Sequence, residues 1–287
     1  MFKKPKNILR LLKVNLFVQS AIIITGAIVR ITKSGLGCPT WPQCVGDSII
    51  PLSTQQESWH KYVEFGNRLL TFVLLIVAVL VLVTIWRNQN LKKLRFLALT
   101  PILGTIFQAL LGGVTVLTGL HPTTVAAHFL VSIIIVAFAH TLLRKYQNPD
   151  LSQARNWNSD LLVAIAFISI ALGTVVTGTG PHSGDKNVDS RFNFDLATVA
   201  NFHAKAIWAY CAFLGFLLIK HYRMVSPKSR QSLLILTTIV LAQGFLGYYQ
   251  YFAGVPEILV FLHIIGSVLF WISNLRVRAD LAQDKSV

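Results

Sequence analysis

The stretch QGFLGYYQYFAGVPEILVFLH at residues 243–263 decides the fold, because the chain contains its layout twice. Residues 108–128 read QALLGGVTVLTGLHPTTVAAH and keep Gln at the first position, Gly at the fifth and twelfth, and His at the last. An internal repeat indicates that the chain is built from two copies of one unit. In each copy, two apolar segments around a Gly/Pro turn predict a helical hairpin with the histidine a short way into its second helix.

The composition indicates an integral membrane protein. Of 287 residues, 54% are hydrophobic and 13% charged, and the mean hydropathy is +0.60, which is more apolar surface than a soluble core could hide. A membrane-spanning helix needs about 20 mostly apolar residues. Eight such runs occur, at 11–31, 60–86, 94–118, 122–143, 160–180, 197–220, 231–253 and 256–275. The predicted fold is therefore all-α, with two pseudo-symmetric four-helix halves at 1–147 and 148–287 and both termini on one side.

The net charge of +15 follows the predicted topology. Most basic residues fall on the side of the membrane that carries the termini, and this bias predicts that both termini are cytoplasmic. They are Lys3, Lys4, Lys6, Arg10, Lys13, Arg87, Lys92, Lys93, Arg95, Arg144, Lys145, Arg155, Lys220, Arg223, Lys228, Arg230, Arg276, Arg278 and Lys285. No basic run is interleaved with aromatic residues, so nucleic acid is not a predicted partner.

The N-terminus has no short apolar region followed by a small-residue cleavage site, so the first helix is expected to stay in place. A bacterial cytoplasmic membrane is the predicted location.

The first outer loop contains the sequence CPTWPQC with Cys38 and Cys44. Two thiols this close outside the cytoplasm are usually oxidised, so we expect a disulfide. The disulfide either shapes the loop or exchanges with a thiol carrier. Cys211, within the sixth helix, is expected to be inert.

The second predicted helix carries the densest group of polar residues. His60, Glu64, Asn67 and Arg68 recur at helical spacing and share one face. Ionisable groups inside a membrane are costly and normally mark function. The alternative is an internal Glu64–Arg68 pair that only packs against a neighbouring helix.

Four positions on the even-numbered helices lie at one predicted depth in the outer leaflet. They are Asn67, His128, His203 and His263. Neutral imidazoles at matching depth each need a partner, and two histidines holding a haem between helices would supply it. Zinc is less favoured, because no third and fourth ligand is evident beside His203 and His263.

Several motifs together resemble the heme A synthase family over nearly the whole chain. They are GAIVRITKSGLGCPTWPQC, EFGNR, HPTTVAAH, TGTGPHSGD, NFHAKAIWAY and LHIIGSVLFW. The resemblance implies eight transmembrane helices in two halves and the oxidation of a ring methyl of haem O to a formyl group. The product, haem A, serves terminal oxidases, and the resemblance implies the haem O-producing enzyme and an oxidase assembly factor as partners.

The resemblance also implies roles for individual residues. His203 and His263 would be the axial ligands of a cofactor haem b in the C-terminal half, which relays electrons. His128 would ligate the iron of the substrate haem in the N-terminal half, and Glu64 would be the catalytic carboxylate. Independently of the resemblance, the position of Arg68 on the same helix face predicts that it pairs with a haem propionate or with Glu64.

One residue departs from the family pattern. The common second-helix motif is Glu-x-x-His-Arg, and this chain has Asn67 at the histidine position. The substrate haem is then held by His128 alone, or His60 supplies a partner from another height on the same face. We favour the first arrangement, because a haem held on both sides has no open coordination position.

Two other functional classes fit parts of the pattern. A b-type cytochrome that only carries electrons would use the paired histidines but would not require Glu64. A transporter would also be a helical bundle with repeats, but its site would show broken helices near the midplane of the membrane, whereas the polar residues here gather toward one leaflet.

Overall fold

Eight α-helices, each long and apolar enough to cross a membrane, dominate the part of the chain that the computed structural model describes, residues 5–152 and 156–284. They are α1 (Lys6–Ile31), α2 (His60–Arg87), α3 (Arg95–Leu117), α4 (Pro122–Gln147), α5 (Trp157–Thr179), α6 (Leu196–His221), α7 (Pro227–Phe252) and α8 (Glu257–Leu281). The all-helical fold and the eight apolar runs are thereby confirmed. Lys3, Lys4, Arg155 and Lys285 of the basic set lie outside the described residues.

Several helices extend further than their apolar runs, and polar contacts account for this in α7 and α8. α7 begins at Pro227 rather than 231, and α8 ends at Leu281 rather than 275. Asp280 in the last turn of α8 is buried, accepts a hydrogen bond from the Ser232 hydroxyl at 2.7 Å, and pairs with the Lys228 ammonium at 2.9 Å. These polar contacts between α7 and α8 stabilise helical turns that hydropathy alone leaves out.

Side-chain caps fix where two helices start. The Asp195 carboxylate accepts hydrogen bonds from the hydroxyl and the backbone N–H of Thr198, both at 2.7 Å, and these bonds hold the pKa of this exposed carboxyl below its usual range. Ser226 caps α7 in the same way through the N–H of Ser229, and Pro227 occupies the first helical position.

Both repeated hairpins turn through the same backbone geometry. Gly119 and Leu120 have φ values of 61° and 57°, and Gly254 and Val255 have 77° and 59°. In each turn the N–H of the second residue donates to the carbonyl five residues earlier, at 2.9 and 2.8 Å. This double hydrogen-bonded cap closes the first helix and reverses the chain, as the Gly/Pro pattern predicts.

The chain divides into two compact units. Unit 1 contains α1 to α4 together with the outer segment Gly180–Phe192, and unit 2 contains α5 to α8. The segment Gly180–Phe192 is attached to unit 1 by hydrogen bonds to its backbone carbonyls: the Arg30 guanidinium donates to the His182 carbonyl at 2.6 Å, and the Gly35 N–H donates to the Gly184 carbonyl at 2.8 Å.

Unit 1 has an apolar core at the end of the bundle where α1 begins. Leu12, Val81, Ile85 and Leu142 are at most 1% exposed there and pack into one cluster. This cluster packs the four helices together at the end of unit 1 away from the candidate site.

Unit 2 is packed unevenly along its length. Tyr210, Leu217, Leu233 and Leu236 are almost fully buried at one end. At the other end, no residue of the first 14 of α6 or of the last 12 of α7 is buried. The end of unit 2 that carries the predicted histidines is therefore less closely packed than the other end.

Candidate functional site

His203 on α6 is oriented by the neighbouring helix α5. Its Nδ1 lies 3.0 Å from the carbonyl oxygen of Ser169. Because a carbonyl only accepts, Nδ1 carries the proton and the lone pair is on Nε2, which is the tautomer that a metal-ligating imidazole needs. A Cβ at Gly173 would lie 3.2 Å from Cε1 of the same ring, so the absence of a side chain there makes room for the imidazole.

His263 on α8 has a similar environment on α7. A Cβ at Gly247 would lie 3.2 Å from its Cε1, and its Nδ1 is buried without a hydrogen-bond partner among the described residues. A buried imidazole without a partner is costly unless a ligand or a metal completes it.

The end of unit 2 that carries His203 and His263 has several features of a site for a flat apolar ligand. Contact between α6 and α7 is slight, and the Trp208 Nε1–H donates to the Tyr248 hydroxyl at 3.0 Å across this seam. Phe202 and Phe245 on the same helices are 58% and 75% exposed. Imidazoles on α6 and α8, a glycine beside each of them and exposed aromatic rings are the residue types that a haem held by His203 and His263 would need.

The described residues contain no group of three or more His, Cys, Asp and Glu side chains that could hold a metal ion.

In unit 1, His128 on α4 repeats the contact with glycine. A Cβ at Gly112 on α3 would lie 3.3 Å from its Cε1, and its Nδ1 is buried without a partner among the described residues. The backbone at this position is held by Gln108, whose side-chain amide donates to the His128 carbonyl at 2.9 Å and to the Ser132 hydroxyl. The Gln–Gly–His pattern of the repeat thus corresponds to one contact set in this hairpin.

Asn67 on α2 has a different partner. Its Oδ1 lies 2.7 Å from the Thr25 hydroxyl on α1, and a Cβ at the adjacent Gly26 would meet nothing within 4 Å. Three of the four helix pairs therefore set a glycine against an imidazole, and the α1–α2 pair sets a hydroxyl against an amide.

Glu64 lies under the first outer loop, where Cys38 and Cys44 form the expected disulfide. It is 5% exposed, and its Oε2 accepts a hydrogen bond from the Cys38 N–H at 2.6 Å. Its Oε1 accepts from Arg68 Nη2 at 2.6 Å and from Nε at 3.0 Å. Both oxygens of the carboxylate are thus engaged by the loop and by the next turn of α2.

Arg68 uses its remaining donors on the same loop. Nη1 donates to the carbonyls of Thr40 and Gln43, both at 3.0 Å, and Nη2 donates to the carbonyl of Cys38 at 2.7 Å. Together with the two bonds to Glu64, all five N–H groups of the guanidinium have acceptors. Of the two partners expected for Arg68, the structure gives it Glu64, with three loop carbonyls in addition.

His60 is the first residue of α2 and is half-buried. Its Nδ1 lies 2.9 Å from the Ser34 hydroxyl, and its ring stacks on Trp59. It lines a cavity of about 230 Å³ together with Glu57 and Asp185, among others.

Several residues of the site carry no signal in the sequence. Ser169 acts through its carbonyl, and so do Thr40 and Gln43, so their side chains do not indicate these roles. Thr25 could have been found from its place in the helix before Asn67. The glycine contacts were indicated for two hairpins by the shared separation of 16 residues between Gly112 and His128 and between Gly247 and His263.

Known proteins share this chain's pattern. A family model described as cytochrome oxidase assembly protein, COX15-CtaA, matches residues 9–275. The chain is 30% identical over 169 residues to a heme A synthase of Shouchella clausii, with 55% of each protein covered. It is 31% identical over 171 residues to one of Lysinibacillus sphaericus, covering 55% of the chain and 54% of the relative. The matched region therefore spans about half the length of these relatives.

Proposed function

Because the chain belongs to the COX15-CtaA family of cytochrome oxidase assembly proteins, we propose that it oxidises a ring methyl of haem O to a formyl group and so produces haem A. The names of the matched relatives support haem A biosynthesis. Each of two successive hydroxylations of the methyl carbon removes two electrons, which an electron acceptor takes up, and the resulting geminal diol loses water to give the formyl group.

Unit 2 holds a resident haem b in this proposal. His203 and His263 would be its axial ligands, through the Nε2 lone pair that the Ser169 carbonyl leaves available on His203. A haem held by two histidines has no open axial position and supplies one-electron transfer. The exposed rings of Phe202 and Phe245 would cover its faces.

Unit 1 would bind haem O, with His128 as the protein ligand to its iron. Asn67 is a poor iron ligand, so the proposal assigns no second protein ligand to this haem. Glu64 accepts protons released from the reacting methyl or orients water beside it. A carboxylate in a low-dielectric site, with its charge balanced by Arg68, is suited to that task.

The observation that carries the proposal is the burial of Glu64 in the unit whose histidine, His128, has a buried and unpartnered Nδ1. A carboxylate and an imidazole inside one transmembrane unit are expected at a reacting centre rather than in a passive bundle.

The test is co-expression with a source of haem O, followed by haem extraction and chromatography. Wild type should yield haem A, and Glu64→Gln should retain haem O and yield none. Equal haem A from both proteins would remove Glu64 from catalysis, and no haem A from wild type would reject the proposed reaction.

A second candidate is a membrane b-type cytochrome that carries electrons without substrate chemistry. It is favoured by one observation: both oxygens of Glu64 are already hydrogen-bonded to Cys38 and Arg68. The extraction experiment separates the two candidates, because an electron carrier would show a low-spin haem spectrum and would leave haem O unchanged.

We further propose a bacterial cytoplasmic membrane as the location, with both termini cytoplasmic and both haem sites in the outer leaflet half. Haem O would enter unit 1 from the lipid. The haem O-producing enzyme and an oxidase assembly factor are the proposed protein partners.

A further inference from the structure

Arg68 connects the proposed catalytic carboxylate to the first outer loop. Its planar guanidinium presents five donors in fixed directions, and each has an acceptor: two bonds go to Glu64 and three to the carbonyls of Cys38, Thr40 and Gln43. Such a set fixes the position of the guanidinium in all directions. Glu64 is held from one side by this group.

The loop also holds Glu64 from the other side. The three carbonyl acceptors belong to the ring closed by the Cys38–Cys44 disulfide, and the Cys38 N–H donates to Glu64 Oε2. Cys38 therefore contributes its N–H to the carboxylate and its carbonyl to Arg68. A cross-link over so short a ring restricts the backbone that presents these groups.

The tip of this ring is seated in unit 1. A Cβ at Gly113 on α3 would lie 2.5 Å from the Trp41 indole, so the indole lies directly on the helix backbone. The preceding residue, Gly112, is the one that faces His128. The ring therefore contacts α3 beside the imidazole while it holds the carboxylate on α2.

We propose that Arg68 is a positioning residue that couples the disulfide ring to Glu64, so that closure of the ring sets the orientation of the carboxylate. The proposal rests on the proposed function of Glu64. It assigns the disulfide a third role, beyond shaping the loop or exchanging electrons. The disulfide holds the backbone groups that bind Arg68 and Glu64 in position around the reacting site. It also removes Arg68 from contact with haem propionates, since no donor is left.

Lys61 provides the matched control. It lies one turn before the pair on α2, is 3% exposed, and its ammonium donates to the carbonyls of Leu52, Ser53 and Gln55 in the same loop. It thus anchors the loop as Arg68 does, through other carbonyls. A variant at Lys61 reports the effect of loosening the loop in general.

The measurement is the infrared band of the Glu64 carboxyl group, isolated as the difference between each variant and the same variant carrying Glu64→Gln. Arg68→Met and Arg68→Lys should both shift this band. Lysine keeps the positive charge but lacks the planar guanidinium that donates two hydrogen bonds to Glu64. Lys61→Met should leave the band in place. Haem A formation should fall about tenfold or more in both Arg68 variants, as expected when charge-assisted hydrogen bonds at a reacting group are lost.

The double variant Cys38→Ser, Cys44→Ser should shift the Glu64 band in the same direction. Adding Arg68→Met to it should cause little further shift, because the disulfide and Arg68 act through the same hydrogen bonds to Glu64. The proposal is overturned by an unshifted band in Arg68→Met, by full rescue with lysine, by an equal shift in Lys61→Met, or by additive effects. The haem b spectrum of unit 2, read in each preparation, confirms that the variant is folded. Failure of wild type to form haem A would reject the proposed function and leave the band test unaffected.

Discussion

The position that a Cβ would take at Gly247 lies 3.2 Å from Cε1 of His263, closer than most real contacts of a Cβ. The same relationship holds for Gly112 with His128, at 3.3 Å. A glycine in the interior of a helix costs about 1 kcal/mol relative to alanine. Its use at these positions is explained by the imidazole that occupies the space of the missing side chain.

Gly247→Ala should therefore displace the His263 ring and weaken haem binding in unit 2. The matched control is Gly244→Ala on the same helix, where a Cβ meets nothing within 4 Å. We expect the low-spin haem spectrum of Gly247→Ala to shift or lose intensity while Gly244→Ala keeps it and gains up to about 1 kcal/mol of stability. Identical spectra for the two variants would contradict the role given to Gly247.

Replacement of either axial histidine should abolish the haem b spectrum. His203→Met and His263→Met each remove an imidazole for which the neighbouring helix provides space, and a thioether in its place is neither oriented by the Ser169 carbonyl nor matched to the space beside glycine. Cys211→Ser, on the same helix as His203, is the control and should leave the spectrum unchanged. Absorption spectra of the reduced, purified proteins make the comparison, and a spectrum retained in His203→Met would exclude this ligand.

The sequence predicts the helices and turns well because hydropathy and backbone sterics are local. The apolar runs give all eight helices, and Gly119 and Gly254 mark turns that need positive φ. The pairing of Cys38 with Cys44 also follows from their separation.

The environment of the carboxylate was not predictable in the same way. Arg68 finds its acceptors on the backbone of Cys38, Thr40 and Gln43, and every residue type offers the same carbonyl. Only the folded loop brings these groups to one point. The segment Gly180–Phe192 is likewise attached to unit 1 by hydrogen bonds to its backbone carbonyls, and its side-chain sequence does not predict these bonds.

Asn67→His should change the ligation of the substrate haem. In the proposed function His128 is the sole protein ligand in unit 1, and Asn67 is bonded to Thr25 instead. An imidazole at position 67 would offer a second nitrogen to the iron and close the open position. We expect a new low-spin signal in the haem O-loaded variant and loss of haem A formation, with Asn67→Leu as the variant that adds no ligand. A high-spin signal unchanged in Asn67→His would contradict the assignment of position 67 to the substrate-haem site.

Asn15 and Asn274 are both 0% exposed, but their side chains differ in their hydrogen-bond partners. Neither the nitrogen nor the oxygen of the Asn15 amide has a partner among the described residues. The Asn274 amide accepts from the Tyr210 hydroxyl at 2.7 Å and donates to the Phe270 carbonyl at 2.8 Å. Removing a buried polar group without partners costs little hydrogen-bonding energy, and removing one with partners leaves them unsatisfied.

Asn15→Ala should therefore unfold at or above the wild-type temperature in detergent, and Asn274→Ala below it. The two substitutions delete the same atoms from helix interiors, so the cavity and propensity effects are comparable and largely cancel in the difference. The remaining difference in stability comes from the buried Tyr210 hydroxyl, which loses its acceptor in Asn274→Ala. An unsatisfied buried hydroxyl costs about 1–3 kcal/mol. Thermal unfolding of both variants, followed by the helical signal, measures the difference. If Asn15→Ala loses as much stability as Asn274→Ala, then Asn15 has a bound partner such as an internal water, because only a satisfied amide would make its removal equally costly.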